Sequence, residues 1–354
     1  KTRMYFTIRS YMEKFQKKGK GTLILKKGTY TITNTIHVPS NVTIIFEKGV
    51  KIVKGTKTNK KKMPAAITLF QLIRPSNAKK KGVYSAYNGE KNIHFVGKGG
   101  VSIDMKYMKY GIAFDVAHND GVTIEKINFK NVNVGHFIEM DASANVSVTR
   151  CTFKNVKKNS DYVKEAINLD VPDAATGGFT WEGSSMDKTA DDTIYIHNNV
   201  FKNLTAGIGT HMYTPGHPHK NIRIENNSFS TCRTFAIRAQ NWEDSYILNN
   251  TFFNISALDD SALSIDARGI SNVIVKNNTA TNSDAFMKII VSRYSDSTIA
   301  SRPGLADYEP IYNSVNKEDV IYNTVSGLKT NYAVSYVNST THQGSTTQYW
   351  NAQN

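Results

Sequence analysis

The sequence predicts an all-β fold, a right-handed parallel β-helix solenoid with an N-terminal capping helix. One observation behind this prediction is an internal repeat, seen in segments such as GVTIEKINFKNV, NVSVTRCTFKNV and TIYIHNNVFKNL. Each segment has two alternating apolar positions, a polar pair and then usually a Phe, and such short β-branched runs are typical of strands. The second observation is the spacing of the repeat, which is 23 to 28 residues except across one gap that holds an insertion. Three short strands per coil of about 24 residues describe a parallel β-helix.

The N-terminal segment YFTIRSYMEKFQKK has an amphipathic pattern, which predicts a helix over about residues 4–18. β-Helix coils are predicted over about residues 21–340, and a C-terminal tail over residues 341–354. The chain, residues 1–354, is therefore interpreted as one β-helix domain.

One Asn precedes the Phe strand at the same place in four repeats, at Asn199, Asn227, Asn250 and Asn278. Because Asn tolerates left-handed backbone geometry, a sharp turn is expected in this column. Cys151 occupies the column in an earlier coil, which indicates that the column points inward. Cys151 and Cys232 are accordingly expected to be buried free thiols.

The repeat, together with the segment GTLILKKGTYTI after the predicted helix, resembles the pectate-lyase-like superfamily of β-helix proteins over about residues 4–340. This superfamily includes polysaccharide lyases, hydrolases, epimerases, esterases and phage tailspikes, so the resemblance specifies a fold rather than a reaction. It implies a catalytic groove along the strands that follow the Phe strands, bordered by loops.

The strands that follow the Phe strands align on a central apolar residue, which predicts two outward columns of side chains. The central residues are Ile112, Ile138, Ile167, Ile208, Ile237, Leu263 and Met287. The first column is Ala113, Glu139, Asn168, Gly209, Arg238, Ser264 and Lys288. The second column is Asp115, Asp141, Asp170, His211, Gln240, Asp266 and Ile290.

Rows of a parallel sheet lie about 4.8 Å apart, so five of these side chains are predicted to form one exposed catalytic cluster. They are Glu139, Asp141, Asp170, His211 and Arg238. Asp115 and Asp266 are expected to bind turn amides at the strand ends instead.

Two long loops, 171–192 and 212–220, flank the same rows, and long loops of a solenoid concentrate on its binding face. Three aromatic residues are predicted to stack on sugar rings: Trp181, Tyr213 and Trp242. Further candidates for substrate binding are His136, His217, His219, Glu165, Asn168, Gln240 and Lys288. A loop His or Trp also commonly covers a surface without binding a ligand, and this alternative stays open.

Two reactions fit these residue types, and the first is β-elimination by a polysaccharide lyase. Its Ca²⁺ would neutralise a uronate and would be held by Glu139, Asp141 and Asp170. Arg238, His211 or Lys288 would abstract the acidified proton or stabilise the developing charge. The net charge of +15 slightly favours this reaction because it suits an acidic polymer.

The second reaction is glycoside hydrolysis, in which Asp141 and Asp170, or Glu139, serve as general acid and as base or nucleophile. The order acid, acid, His, Arg over successive coils is similar to that of polygalacturonases. The family's motifs Asn-Thr-Asp, Asp-Asp, Gly-His-Gly and Arg-Ile-Lys are replaced here by EMD, NLD, GTH and RAQ.

The charge also bears on partners and location. Lys clusters such as KKGK and KTNKKK would attract a polyanion such as a teichoic-acid-like wall polymer or an acidic polysaccharide, the partner expected here. A solvated basic surface that only keeps the protein soluble is the open alternative. A nucleic acid is not expected, since these clusters lack interleaved aromatic residues. A non-catalytic polysaccharide-binding adhesin or tailspike-like protein remains an alternative with the same groove. No apolar run is long enough to span a membrane. We expect a secreted monomer, although the first residues lack the apolar core of a signal peptide.

Overall fold

The computed structural model describes residues 1–157, 163–179, 181–257, 261–339 and 347–350. It begins with an α-helix over Arg3–Lys18, which confirms the predicted cap and ends at Gly19 in a left-handed conformation (φ 74°). The helix buries Tyr5, Ile8, Met12 and Phe15 against the first coil.

Parallel strands on three faces form the coils, which confirms the predicted fold class. The back face consists of Gly21–Leu25, Val42–Phe46, Lys91–Gly97, Asp120–Glu125, Ala144–Thr149, Asp192–His197, His219–Glu225, Trp242–Leu248 and Ser271–Lys276. The Phe face consists of Thr29–Ile32, Lys51–Lys54, Ser102–Asp104, Asn128–Val132, Thr152–Val156, Thr251–Phe253, Thr279–Thr281 and Thr324–Ser326. The groove face consists of Ile36–His37, Thr68–Gln71, Ile112–Ala117, Ile138–Asp141, Glu165–Asp170, Leu263–Arg268, Ala285–Ile290 and Val334–Val337.

Two long strands, Val200–Gly209 and Ser228–Gln240, contribute to both the Phe face and the groove face. Shorter helices lie at Pro75–Asn77, Asp296–Ser301, Pro303–Leu305 and Lys317–Asp319. The predicted tail contains one strand, Gln348–Trp350, which pairs antiparallel with Val334–Val337. Residues 341–346 and 351–354 of the tail lie outside the described residues. No helix of the described part of the chain is long and apolar enough to cross a membrane.

Two ladders of identical side chains fill the core between coils. Successive Phe rings of the repeat stack with centroids 4.6–5.2 Å apart, at Phe129, Phe153, Phe201, Phe229 and Phe252. The buried Asn ladder points inward as predicted, and each Asn side chain bonds the next coil. For example, Asn227 Oδ1 accepts from the backbone N–H of Asn199 at 2.9 Å, while Asn227 Nδ2 donates to Ile196 O at 2.9 Å.

The expected left-handed turn is one residue away from the Asn ladder. The residues with positive φ are the preceding asparagines, Asn198, Asn226, Asn249 and Asn277, at 55–57°. Each repeat therefore uses its two consecutive Asn residues differently, one for backbone geometry and one for buried hydrogen bonds. Cys151 and Cys232 are buried free thiols, as predicted.

Candidate active site

The strand register brings together part of the predicted cluster. Glu139 lies opposite Asn168, and Asp141 lies opposite Asp170, as the sequence predicts. Gly209 and Arg238 continue the first column on the next two coils.

Two rows of the predicted alignment are wrong by two residues. Asp115 lies opposite Glu139, although the predicted columns placed it in line with Asp141. In the same way Asp266 lies opposite Arg238, although the predicted columns placed it in line with Gln240. A shift of two residues preserves the alternation of inward and outward side chains, so the pattern by itself cannot exclude it. Neither Asp binds turn amides as expected, because Asp115 accepts from the side chain of Gln71 and Asp266 from Arg238 and Arg268.

An open cavity of about 760 Å³ lies over the N-terminal half of the groove face. Its ionisable and polar lining includes Gln71, Asp115, His136, Glu139, Lys164 and His211. Its aromatic lining is Tyr110, Phe179 and Trp181. The cavity therefore places two carboxyl groups of adjacent coils beside two histidines and an aromatic wall.

Glu139 is held on both carboxyl oxygens at the cavity floor. Oε1 accepts a hydrogen bond from Asn168 Nδ2 at 2.9 Å, and Oε2 lies 3.3 Å from His136 Nε2. His136 Nδ1 lies 2.6 Å from the carbonyl oxygen of Glu165, which only accepts, so Nδ1 carries a proton. Burial lowers the pKa of His136 to about 4, so the ring is neutral and Nε2 presents a lone pair to Glu139.

This arrangement favours the protonated form of Glu139. Burial raises the pKa of Glu139 to about 7, although the hydrogen bond from Asn168 acts in the opposite direction. A carboxylate at Oε2 would face the lone pair of the neutral His136 at 3.3 Å, which also favours the protonated acid.

Asp115 lies on the coil that precedes Glu139, and its two carboxyl oxygens have different surroundings. Its Oδ2 accepts from Gln71 Nε2 at 2.9 Å, whereas Oδ1 is buried without a hydrogen-bond partner among the described residues. Burial, with repulsion from Glu139 as a further cause, raises the pKa of Asp115 to about 7. The two carboxyl groups consequently share protons near neutral pH.

Glu165 lies beneath His211, and its pKa is shifted in the opposite direction to the pKa of Glu139. Its Oε1 lies 3.7 Å from both His211 Nδ1 and Arg238 Nη1, distances of ion pairs rather than hydrogen bonds. Burial opposes the charged form, but attraction to His211 and Arg238 lowers the pKa of Glu165 to about 2. Glu165 is completely buried and does not line the cavity, so it orients His211 rather than meeting a substrate.

Asp141 and Asp170 do not form the exposed cluster that the sequence predicts. Both are buried at 0–1% exposure, and neither lines the cavity. The backbone of loop 171–179 covers Asp170, since a Cβ on Gly178 would lie 2.5 Å from Asp170 Oδ2. Burial raises the pKa of Asp170 to about 6, and burial together with repulsion from Glu139 raises the pKa of Asp141 well above its ordinary value.

Three predicted binding residues are buried structural groups. Tyr213 stacks on Tyr294 with ring centroids 4.3 Å apart, and Trp242 Nε1 donates to Thr210 Oγ1 at 2.8 Å. His219 is buried beside Asp191, with Nδ1 3.3 Å from Oδ2. Tyr213 lies in a loop that packs against a distant part of the chain, whereas His219 and Trp242 begin strands of the back face. Local composition does not reveal the burial of these three side chains.

The remaining candidates for substrate binding differ in whether a ligand could reach them. Trp181 and His136 line the cavity as predicted, while Lys288 is exposed farther along the groove face. His217 lies half-buried in its loop and outside the cavity lining. Asn168 and Gln240 are buried, so Asn168 acts on Glu139 and not directly on a ligand.

The predicted calcium ligands do not fit a metal ion. No group of three His, Cys, Asp or Glu side chains within the described ranges could hold one. Asn168 Nδ2 donates to Glu139 Oε1 at 2.9 Å and to Asp170 Oδ2 at 3.3 Å, so an amide group lies between these two carboxyl groups. The requirement for Ca²⁺ itself remains an untested prediction.

Comparison with known proteins agrees with this architecture. A family model described as "Right handed beta helix region" matches residues 92–257. The chain has the fold of a right-handed parallel β-helix. Its sequence is 24% identical over 253 residues to the plasmin and fibronectin-binding protein A of Streptococcus pneumoniae, a match to 66% of this chain and 34% of the relative. This β-helix protein thus spans about a third of the length of that curated relative.

Two solved structures share the fold of this β-helix protein at low sequence identity. The S. pneumoniae surface protein and adhesin PfbA superposes with a TM-score of 0.70 at 18% identity, over 93% of this chain and 84% of PfbA. A tailspike protein of E. coli bacteriophage HK620 superposes with a TM-score of 0.55 at 13% identity, over 94% of this chain and 59% of the tailspike.

Sequence reasoning missed Asp115, Gln71 and Phe179 as cavity residues. For Asp115 the available signal was its position, since it lies on a strand, Ile112–Ala117, of the same face as Glu139. The two-residue shift in register concealed it. Gln71 and Phe179 carried no distinguishing pattern.

Proposed function

We propose that this protein is extracellular, binds a polysaccharide along its groove face and hydrolyses a glycosidic bond in the cavity above Asp115 and Glu139. The fold shared with a surface adhesin supports the extracellular location. Trp181 and Tyr110 at the cavity wall offer faces on which sugar rings stack.

One observation carries the reaction: two carboxyl groups on adjacent coils line the same cavity, and burial raises the pKa of each to about 7. Near neutral pH such a pair retains about one proton. Glu139, in its protonated form, is the general acid for the leaving oxygen. Asp115, as the carboxylate, serves as base or nucleophile at the anomeric carbon.

The test compares Glu139→Gln and Asp115→Asn with Glu125→Gln, a control on the back face. Wild-type protein is incubated with a panel of neutral and acidic polysaccharides, and new reducing ends are measured. Each cavity variant is expected to lose activity by about 100-fold or more, because it removes a proton donor or acceptor. Full activity of both variants, with unchanged thermal melts, would show that the assignment is wrong.

A second candidate reaction is β-elimination, which His211 favours. This histidine lines the cavity, and its Nδ1 lies 3.7 Å from Glu165 Oε1, an oxygen that also lies 3.7 Å from Arg238 Nη1. The imidazole is therefore positioned to act as the base. Elimination would create an unsaturated product with new ultraviolet absorbance, and His211→Gln would abolish it. Hydrolysis gives reducing ends without that absorbance. Chelation followed by Ca²⁺ addition tests the metal requirement in the same assay.

A protein that only binds gives a third pattern. Wild-type protein would then retain polysaccharide in affinity electrophoresis but release no reducing ends from it. That result would overturn the catalytic assignment and leave polysaccharide binding in place.

A further inference from the structure

The groove face changes its charge along its length. The outward column that starts at the cavity reads, coil by coil, Gln71, Asp115, Glu139, Asn168, Gly209, Arg238, Asp266, Lys288 and Ser335. Carboxyl groups stand at its N-terminal end, and cations are concentrated toward its C-terminal end.

Two adjoining cavities, of about 410 and 390 Å³, lie at the C-terminal end of the groove face. They share Lys288, Ile290, Tyr332 and Ser335. We call the surface formed by Arg238, Arg268, Lys288, Arg293, Tyr332 and Ser335 the basic trough. The shared lining makes it one continuous concave surface.

Positive charge is in excess in the basic trough. Among the described residues that line the two cavities, four are Arg or Lys and one, Asp266, is acidic. Asp266 accepts from Arg238 Nε at 3.0 Å and from Arg268 Nε at 2.9 Å. Lys288 is exposed and has no ion pair with any described residue. An anion placed here would meet the exposed ammonium group of Lys288 beside the Arg238 and Arg268 guanidinium groups, which share Asp266.

The basic trough also has an aromatic wall. Tyr332 packs on Tyr349 with ring centroids 4.4 Å apart, and both rings line the cavity beside Lys288. Aromatic faces next to cations fit a sugar ring that carries a negative group, since the ring stacks while the anion pairs.

We propose that the basic trough binds an anionic sugar of the same polysaccharide, so that the ligand is a heteropolymer with its charge on a different sugar from the one at the cleaved bond. This inference rests on the proposed function of the cavity. Arg238 and Lys288 lie three and five rows beyond Glu139, which is about 14 and 24 Å at about 4.8 Å per row. The paired carboxyl groups of the cavity disfavour an anionic sugar there, whereas the trough favours one.

The experiment measures binding to hyaluronan, polygalacturonate, dextran sulfate and neutral dextran by affinity electrophoresis. The variants are Arg268→Gln/Lys288→Gln and the single Lys288→Gln, whose exposed side chain leaves the fold intact. The matched control is Lys154→Gln/Lys202→Gln, which removes the same charge from the Phe face. The trough double variant is expected to weaken binding of the anionic polymers by about tenfold or more, and the control to leave it unchanged.

Preference for hyaluronan or for dextran sulfate identifies the anion as a carboxylate or a sulfate. Equal losses in the trough and control variants would overturn the site, as would wild-type binding to dextran that matches the anionic polymers. Polygalacturonate carries a charge on every sugar. If it is cleaved as fast as any heteropolymer, the proposal that the charged sugar differs from the sugar at the cleaved bond is wrong. Glu139→Gln is expected to retain binding, so a failure of hydrolysis alone is distinguishable from a failure of the trough.

Discussion

At the scale of single residues, the candidate site depends on what surrounds each carboxyl group. Glu139 and Glu165 lie on neighbouring coils and are both buried, yet their pKa values are displaced in opposite directions, to about 7 and about 2. A neutral His136 faces Glu139, whereas Arg238 and His211 face Glu165. The same residue type therefore supplies a proton donor in one place and a fixed negative charge in the other.

Hydrolysis is expected to show a bell-shaped pH profile centred near pH 7. With the pKa of both Asp115 and Glu139 at about 7, the pair carries no proton in alkaline solution and two in acid, and both states lack one of the two required groups. The measurement is kcat/KM as a function of pH. A profile that stays flat through neutral pH would contradict the shared-proton assignment.

Replacing Asp141 by Asn is expected to stabilise the protein above neutral pH. Both carboxyl oxygens of Asp141 are buried without hydrogen-bond partners among the described residues. Because burial raises the pKa of Asp141 in the folded state, its ionisation reduces stability as pH rises from the unfolded-state pKa to the folded one. Asp141→Asn should raise the Tm at pH 8 by about 2 °C, and by less in acid.

The control for this prediction is Asp307→Asn, which changes an exposed aspartate. It should not alter the Tm at either pH. A Tm of Asp141→Asn below that of the wild type at pH 8 would mean that the charge of Asp141 is stabilised by a group not considered above.

At the scale of elements, each coil is joined to the next by the inward Asn ladder and by the Phe stack. Asn227→Ala should lower the free energy of unfolding by about 2–4 kcal/mol, because it leaves buried partners such as Asn199 N–H and Ile196 O unsatisfied. Denaturant unfolding measures this loss.

The adjacent Asn226 provides the comparison, since it is exposed and holds a positive φ of 55°. Asn226→Ala should cost only about 1 kcal/mol of left-handed strain, and Asn226→Gly should cost less. Equal losses at the two neighbouring positions would show that the ladder hydrogen bonds are not the dominant contribution.

At the scale of the whole molecule, the N-terminal helix covers an open end of the core. Met12 is completely buried beneath it, whereas Lys14 is exposed on its outer side. Met12→Glu should displace the helix and expose apolar coil surface, giving aggregates in size-exclusion chromatography. Lys14→Glu should elute as the wild type does, and an unchanged elution of Met12→Glu would show that the cap is dispensable.

Much of this organisation could be predicted because it depends on local alternation and on the repeat. The cap helix, the inward Asn ladder and the pairing of Glu139 with Asn168 all follow from patterns within one or two coils. The partner of Glu139 on the other side, Asp115, could not be predicted, because registers that differ by two residues satisfy the same alternation.

The sequence by itself determined the fold class, the coil period and the face that carries the acidic, His and Arg residues, since each is a property of spacing along the chain. Only the tertiary structure decided which of these residues a ligand can reach. Loops 171–179 and 212–218 pack against residues 294–308, where Tyr213 stacks on Tyr294 and Tyr308 bonds Asp173. These contacts join segments about a hundred residues apart, and they bury Asp170 while leaving Glu139 and Asp115 at the cavity floor.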